Sequence, residues 1–358
     1  MKKKIDEYII LIPAYNPSSK LLHLVNDLKE YDIKILIVND GSLNSKKIFQ
    51  ELKSNSSCIV LEYEENMGKG YALKYGFKYY LDNLVNDYKG IITIDADYQH
   101  IPKDIYKVTQ AMRDDTITLG SRDFYRKDVP LPNRLGNRLT STVFKFLYGR
   151  KIFDTQTGLR GIPNKYLEIC LEIPGNRFEY EMEQLIYFVN HKIELDEIQI
   201  ETIYYAKSES KFKKGIDSMR IYKVLLKESF RFLVTSLTSA FLDIILFTIF
   251  ISTFASLGDI SIFVATFMAR IIADFLNFNL TKYFVFNSNE DSKNILFKYY
   301  ALSFGKMALS AMLVFLINKI IPSNKTIIKV IVDTLIYFLS YRIQKKYIFK
   351  TIEYKIFF

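Results

Sequence analysis

The sequence predicts an α/β unit built on a mostly parallel sheet over residues 1–228, followed by an all-α membrane unit of four helices over 229–358. Three observations lead there. Short apolar runs alternate with helical-period segments in the first unit. Long runs almost free of charge fill the second. Polar clusters follow the strands of the first unit at one end, where open parallel sheets bind their ligands.

Taken in order, β-rich runs are read at 8–14, 33–38, 58–63, 90–94 and 116–119. Helical-period segments such as 18–31 and 70–84 separate the first four, and Pro102 opens another before the fifth. Strand and helix alternating in this way imply βαβ units. Asn16 follows the first run, Asn39, Asp40, Gly41 and Ser42 follow the second, and Asp95 and Asp97 follow the fourth.

Beyond residue 228 the pattern changes. The only charged side chain in 232–255 is Asp243, 260–280 holds Arg270 and Asp274, 299–317 holds Lys306, and 326–341 holds Lys329 and Asp333. Four such runs predict four spans, the fourth being the shortest and most polar. Lys207, Lys211, Lys213, Lys214, Arg220, Lys223, Lys227 and Arg231 precede the first run, and Arg342, Lys345, Lys346, Lys350 and Lys355 follow the last. The positive-inside bias then predicts a multi-pass protein of the cell membrane, with the α/β unit and both termini cytoplasmic. The start MKKK leads into an apolar stretch that is short and cut by Pro13, unlike a signal peptide.

Composition narrows the class. The 358 residues carry 49 Lys+Arg against 39 Asp+Glu, for a net charge of +10, and the mean hydropathy of +0.04 is high for a soluble enzyme. Cys58 and Cys170 cannot form a disulfide framework, which fits a reducing compartment, and three histidines leave little material for zinc. A basic surface also suits nucleic acid, but no recognition motif accompanies it, so nucleic acid is not an expected partner. The segment MGKG at 67–70 lacks the spacing of a P-loop, and no GxGxxG follows the first strand. What remains is the carboxylate pair Asp95 and Asp97, which past a strand end suits Mg²⁺ or Mn²⁺ completed by diphosphate oxygens. Such a pair by itself is common by chance.

In combination the motifs are specific. IPAYN at 12–16, VNDGS at 38–42, ENMGKGYAL at 65–73, DADYQH at 95–100, GSR at 120–122, DTQTGLRGIP at 154–163, FEYEME at 178–183, SKF at 210–212 and DSMRIY at 217–222 fall in one order. Over about residues 5–225 the chain resembles family 2 glycosyltransferases of the polyprenyl-phosphate monosaccharide synthase type. The resemblance implies a GT-A-like fold, a nucleotide-sugar donor, a polyprenyl phosphate acceptor and inversion. It also implies that Pro13, Ala14, Tyr15 and Asp40, with the neighbouring Asn16, Gly41 and Ser42, hold the donor. Asp95, Asp97 and Gln99 would arrange the metal and diphosphate, Asp97 being the foremost ligand. Lys69 would reach the donor phosphates or stand solvated, and His100 reads as a packing residue.

An acceptor phosphate monoester is largely dianionic at pH 7 and is already a nucleophile. Such a site needs cations to position it, and Arg122, Arg126, Lys127, Arg134, Arg138, Arg150, Lys151 and Arg160 supply them. By motif Arg122 and Arg138 lead, with Arg134 next. Asp154 and Gln156 would orient the reacting groups, although a structural cap is an equal reading of Asp154.

Two basic amphipathic segments suit an anionic leaflet. In 133–149, Leu135, Leu139, Val143 and Phe146 alternate with Arg134, Arg138 and Lys145; in 215–231, Ile216, Met219, Leu226 and Phe230 alternate with basic residues. The alternative is a solvated helix packing on the sheet.

The last 130 or so residues resemble the GtrA-like four-helix membrane domain through FRFLVTSLTSAFLD at 230–243, NFNLTKYFVF at 277–286 and YRIQKKYIF at 341–349. That resemblance implies anchoring or movement of lipid-linked sugars. Asp243, Arg270, Asp274, Lys306 and Asp333 are its functional candidates, and Arg270 and Asp274 are placed to pair along one helix. The expected activity is transfer of one sugar, UDP-glucose being the favoured donor, to undecaprenyl phosphate. A transporter whose α/β half only binds nucleotide sugar is the rival. A processive polysaccharide synthase fits poorly, because such enzymes carry a QxxRW motif and this chain has no Trp. Self-association as a homo-oligomer is left open.

Overall fold

The computed structural model describes residues 6–124, 126, 129–201, 215–288, 291–320 and 325–349. Lys127, Lys207, Lys211, Lys213, Lys214, the SKF motif, Lys350 and Lys355 lie outside the described residues. By its contacts the chain divides into two units, 1–225 and 226–358, and the division falls within one helix.

The first unit runs β1 (Ile9–Ala14), α1 (Lys20–Leu28), β2 (Ile35–Asp40), α2 (Lys46–Lys53), β3 (Cys58–Tyr63), α3 (Lys69–Asn83), β4 (Gly90–Thr93), α4 (Pro102–Ala111), β5 (Thr116–Arg122), α5 (Leu131–Tyr148), β6 (Arg160–Pro163), α6 (Leu167–Glu172), α7 (Glu179–Asn190) and β7 (Glu194–Ile200). α8 (Ile216–Thr253) then leads into α9 (Ile260–Leu280), α10 (Ser292–Ile320) and α11 (Lys325–Ile343).

The seven strands form one sheet in the order β3-β2-β1-β4-β6-β5-β7. β1 pairs in parallel with both β2 and β4, so the order reverses beside it, the kind of point at which open parallel sheets bind ligands beyond the strand ends. β2 and β4 are buried throughout because both faces are covered, which is why they read as unbroken apolar runs. α1 buries Leu21, Leu24, Val25 and Leu28, a helical stripe, against β1 and β2. Pro102 occupies the start of α4, where its missing N–H costs nothing.

Two strands were not foreseen. β6 is four residues, RGIP, too short and too rich in Gly and Pro to announce itself, and it runs antiparallel to β4 and β5. β7 reads ELDEIQI, whose charges mask a sheet-edge strand paired in parallel with β5.

Residues 216–253, which cross the division, and 260–285 and 295–320 of the second unit form three helices that, among the described residues, are long and apolar enough to cross a membrane. α11 answers to the fourth expected span but falls short of that standard, since its 19 residues include Lys329, Asp333 and Arg342. The expected pairing of Arg270 with Asp274 is not the contact formed. Arg270 Nη1 lies 3.4 Å from Asp243 Oδ2 on α8, while Asp274 Oδ2 accepts a hydrogen bond from Ser303 Oγ on α10 at 2.9 Å. Each finds its partner on a neighbouring helix, because the two side chains leave α9 toward different neighbours. Phe278, Phe286, Tyr341 and Phe349, all from the late sequence motifs, gather with Phe232, Tyr299 and Tyr337 into one aromatic core.

Candidate active site

The loops after β1 and β2 are built on each other. Asn16 takes a left-handed conformation (φ 44°), its backbone N–H donates to Ser42 Oγ at 2.8 Å, and its Oδ1 accepts from the Asn44 N–H at 3.0 Å. The Ser42 N–H in turn donates to Asn39 Oδ1 at 3.0 Å. Gly41 has φ 63°, and a Cβ there would sit 2.3 Å from the Glu65 carbonyl carbon, so no other residue fits the turn. Pro13 and Ala14 close β1, and Tyr15 is exposed beside them. Asp40 is buried. Its carboxylate accepts from Tyr63 Oη at 2.8 Å, Asn66 Nδ2 at 2.9 Å and the backbone N–H groups of Met67 at 2.8 Å and Gly68 at 3.0 Å. Asp40 thus shapes the 64–68 loop; burial and then Asp40 itself push the Tyr63 phenol well up.

That loop delivers Lys69, the first residue of α3, to the end of β4. Its ammonium lies 2.6 Å from Asp95 Oδ1 and 2.8 Å from Glu181 Oε1 of α7, and it is buried rather than solvated. Burial alone would favour the neutral amine, but the two carboxylates outweigh it and hold Lys69 protonated. Asp95 is held far below the usual carboxylate range despite burial, chiefly by Lys69 and then by His100, whose Nε2 lies 3.4 Å from Oδ2. Asp97 goes the other way: burial, then the charge of Asp95, raise it, while the Gln99 N–H donates to its Oδ1 at 3.2 Å. Gln99 is half-buried next to it.

The DTQTGLRGIP segment crosses this point. Thr93 Oγ1 donates to the Gly158 carbonyl at 2.8 Å, and a Cβ on Gly158 would stand 2.4 Å from Asp95 Oδ2. At its start, Asp154 is fully buried and grips Arg122 at the end of β5, with Nε to Oδ2 at 2.5 Å and Nη2 to Oδ1 at 3.0 Å. The Gln156 N–H donates to Asp154 at 3.1 Å, leaving the Gln156 side chain exposed. Asp154 therefore positions Arg122. α5 is fastened to the same segment by Asn137 Nδ2 donating to the Phe153 carbonyl at 2.6 Å and by Ser141 Oγ donating to the Ile152 carbonyl. Its buried face is Asn137, Thr140, Ser141, Phe144 and Leu147, whereas Leu131, Leu135, Leu139 and Phe146 are exposed. The leucines thus point away from the sheet, with Arg134 and Arg138 half-buried among them. Arg160 is no phosphate ligand: it is buried in the sheet, donating to the Thr157 and Glu181 carbonyls and to Gln184 Oε1.

The structure therefore brings Lys69, Asp95, Asp97 and Gln99 together. It joins Arg122 to Asp154, and it sets Asn16 and Ser42 on one loop pair. Sequence reasoning passed over Glu181, although a carboxylate inside the mostly buried FEYEME helix is a signal in itself. It also passed over Glu197, which accepts from the Phe153 N–H at 2.8 Å and Ser121 Oγ at 3.1 Å. Among the described residues no three His, Cys, Asp or Glu side chains gather as a metal cage. Asp95 and Asp97 nonetheless fit a hard divalent cation. Lys69 already matches Asp95, the raised Asp97 is the carboxylate left needing positive charge, and substrate oxygens would fill the remaining positions.

Residues 9–169 match Glycosyl transferase family 2, and residues 223–349 match the GtrA/DPMS transmembrane domain. With 32% identity over 243 residues, 61% of this chain aligns with 93% of a UDP-N-acetylglucosamine--dolichyl-phosphate N-acetylglucosaminyltransferase from Methanococcus voltae. The chain is a family 2 glycosyltransferase. This glycosyltransferase is fused to a GtrA/DPMS membrane domain and is a membrane protein. It is also 31% identical over 229 residues to an uncharacterised protein of Methanocaldococcus jannaschii, covering 62% of this chain and 90% of that one. An undecaprenyl-phosphate 4-deoxy-4-formamido-L-arabinose transferase of Proteus mirabilis is 25% identical over 179 residues, 48% of this chain and 53% of that protein.

Proposed function

We propose that this glycosyltransferase moves one sugar from a nucleotide-diphosphate sugar to polyprenyl phosphate, with inversion, at the cytoplasmic face of the membrane. The observation that carries the reading is the meeting at Gly158. The segment that begins at Asp154, which grips Arg122 at the end of β5 and is tied to a helix whose exposed face is apolar and basic, lies directly on the Asp95 carboxylate past the end of β4. A donor diphosphate on one side and a lipid phosphate on the other suit that arrangement. The catalytic unit then corresponds to residues 1–228 and the membrane unit to 229–358.

The acceptor's phosphate oxygen attacks the anomeric carbon from the face opposite the diphosphate, a C–O bond forms, and the bond to the nucleoside diphosphate breaks. No strongly shifted general base is needed, because the acceptor is already anionic. Arg122, preset by Asp154, and Arg134 and Arg138 on α5 orient the acceptor phosphate. Pro13, Ala14, Tyr15, Asn16 and Ser42 border the donor's nucleoside, with Asp40 and Gly41 keeping those loops in place. Asp95, Asp97 and Gln99 would hold Mg²⁺ or Mn²⁺, which neutralises the departing diphosphate. Lys69 keeps Asp95 ionised for that task.

UDP-glucose is the first donor to offer, followed by UDP-N-acetylglucosamine, which the Methanococcus relative's name suggests, and GDP-mannose. Purified protein incubated with undecaprenyl phosphate, Mn²⁺ and each donor should yield a lipid carrying one sugar by mass spectrometry. Asp97→Ala should lose at least about 100-fold in rate while melting like the parent. Unchanged transfer by Asp97→Ala would sink this assignment of the site. Absence of product from every donor would favour a transporter that only binds nucleotide sugar.

A further inference from the structure

Side chains alternate across a strand, and on β7 Ile198 and Ile200 face the apolar cluster that seats α1 and α4, so Glu197 faces the other side of the sheet. There Glu197 Oε2 accepts hydrogen bonds from Ser121 Oγ at 3.1 Å and from the Phe153 N–H at 2.8 Å, and the Asp154 N–H donates to the same carboxylate. Ser121 is the residue before Arg122, and Phe153 the residue before Asp154. β5 ends its pairing with β6 at Leu119. Past that point the 153–157 segment lies along it, with Thr157 Oγ1 donating to the Gly120 carbonyl and Arg122 held by Asp154. From β7, on the opposite side of β5, Glu197 therefore reaches across the strand and ties the chain next to both partners of the Arg122–Asp154 pair.

Holding the sheet together does not account for this. β5 and β7 already pair residue by residue from Thr116 to Arg122. Burial, the largest influence on the Glu197 carboxyl, raises it, and the three donors pull against that shift. A half-buried acid is thus kept where its bonds set the spacing between residues 121 and 153. That spacing matters to Arg122 in particular. A guanidinium meets a phosphate as a planar fork, and a small rotation of the fork loses one of its two hydrogen bonds.

We infer that Glu197 is a positioning residue for the acceptor, fixing through Ser121, Phe153 and Asp154 the direction in which Arg122 presents its guanidinium to the phosphate of a prenyl phosphate. This rests on the reading of Arg122 as a ligand of that phosphate and goes beyond it, since Glu197 acts without touching the substrate.

Calorimetric titration of the full chain in detergent with geranyl phosphate, and separately with UDP and GDP, tests it. Glu197→Leu should weaken geranyl phosphate about 10-fold, the worth of one or two lost hydrogen bonds, and leave the nucleotide that the parent binds unaffected. Glu197→Gln, whose amide oxygen can accept from the same donors, should bind geranyl phosphate within about 3-fold of the parent. In an Arg122→Met background, Glu197→Leu should weaken geranyl phosphate no further, because the group it positions is gone. Should Glu197→Leu lose its fold on a thermal melt, Ser121→Ala takes its place, with about a 3-fold weakening confined to geranyl phosphate. Parental affinity in Glu197→Leu overturns the inference. So do equal weakening toward the nucleotide, a full further loss without Arg122, and a parent that does not bind geranyl phosphate. Sugar transfer by the parent is measured in the same preparation. Its absence beside intact geranyl phosphate binding would overturn the transferase reading instead.

Discussion

At residue scale the site depends on charges that hold one another in place. Lys69 is fixed between Asp95 and Glu181, and removing it leaves two carboxylates unmatched. Lys69→Met should cost about 2 to 3 kcal/mol, less than a fully buried pair because Asp95 is one-third exposed. The pH dependence has a definite sign. A carboxylate lowered by folding adds stability that is complete above its unfolded pKa of about 3.9 and is lost as pH falls through the folded value. Lys69, raised by folding, keeps its contribution below about pH 10.4 and loses it only as pH rises through its higher folded value. The difference in melting between parent and Lys69→Met should therefore be flat from about pH 5 to 9 and shrink in acid below about 4. Gly158 makes a separate test. Gly158→Ala places a methyl against Asp95, which Lys69 prevents from swinging away, so turnover should fall at least about 10-fold. Melting within a degree or so of the parent would show that the loss comes from the displaced carboxylate.

At the scale of elements, α5 shows which side of its pattern is seated. A solvated helix packing on the sheet was the alternative reading; Leu135 and Leu139 are exposed, and the helix is seated through Asn137, Thr140, Ser141, Phe144 and Leu147. Hydrogen bonds to the Phe153 and Ile152 carbonyls join Phe144 and Leu147 in seating it, and the leucine face is left exposed, as a helix lying on lipid requires. The double variant Leu135→Glu/Leu139→Glu should therefore fold normally, since both side chains are already solvated. It should transfer sugar to undecaprenyl phosphate in vesicles at least about 10-fold more slowly, and to a short water-soluble prenyl phosphate at the parental rate. Equal losses on both acceptors would count against a lipid-facing helix. β1, β2 and β4 were legible because strands buried on both faces must be apolar throughout. β6 and β7 were not, since one is too short for any period and the other is a charged edge.

For the molecule as a whole, the second unit is where composition and structure diverge. Three helices meet the length and apolarity needed to cross a bilayer, and α11 does not. Lys329 and Asp333 neutralise each other at 2.8 Å, and Ser310 Oγ also donates to Asp333, which lowers the cost of their burial. We expect α11 to cross as well, returning the C-terminus to the side of the catalytic unit. Cysteines placed at residues 205 and 352 in intact cells should then both resist a membrane-impermeant maleimide, while those at 257 and 322 should both be labelled. Labelling at 352 but not 205 would mean three crossings.

The sequence by itself determined the two-unit plan, the strand-end motifs and the family, because each is written in local periodicity or in short contiguous strings. Asp95 and Asp97 were visible for the same reason: two carboxylates past a strand end need no distant partner to be noticed. The tertiary structure decided which charge meets which. Glu181 reaches Lys69 from more than a hundred residues away, Asp154 takes Arg122, and Arg270 turns to Asp243 rather than to Asp274 on its own helix. Pairings of that kind depend on how elements are brought side by side, and desolvation then makes each buried charge take the nearest opposite group.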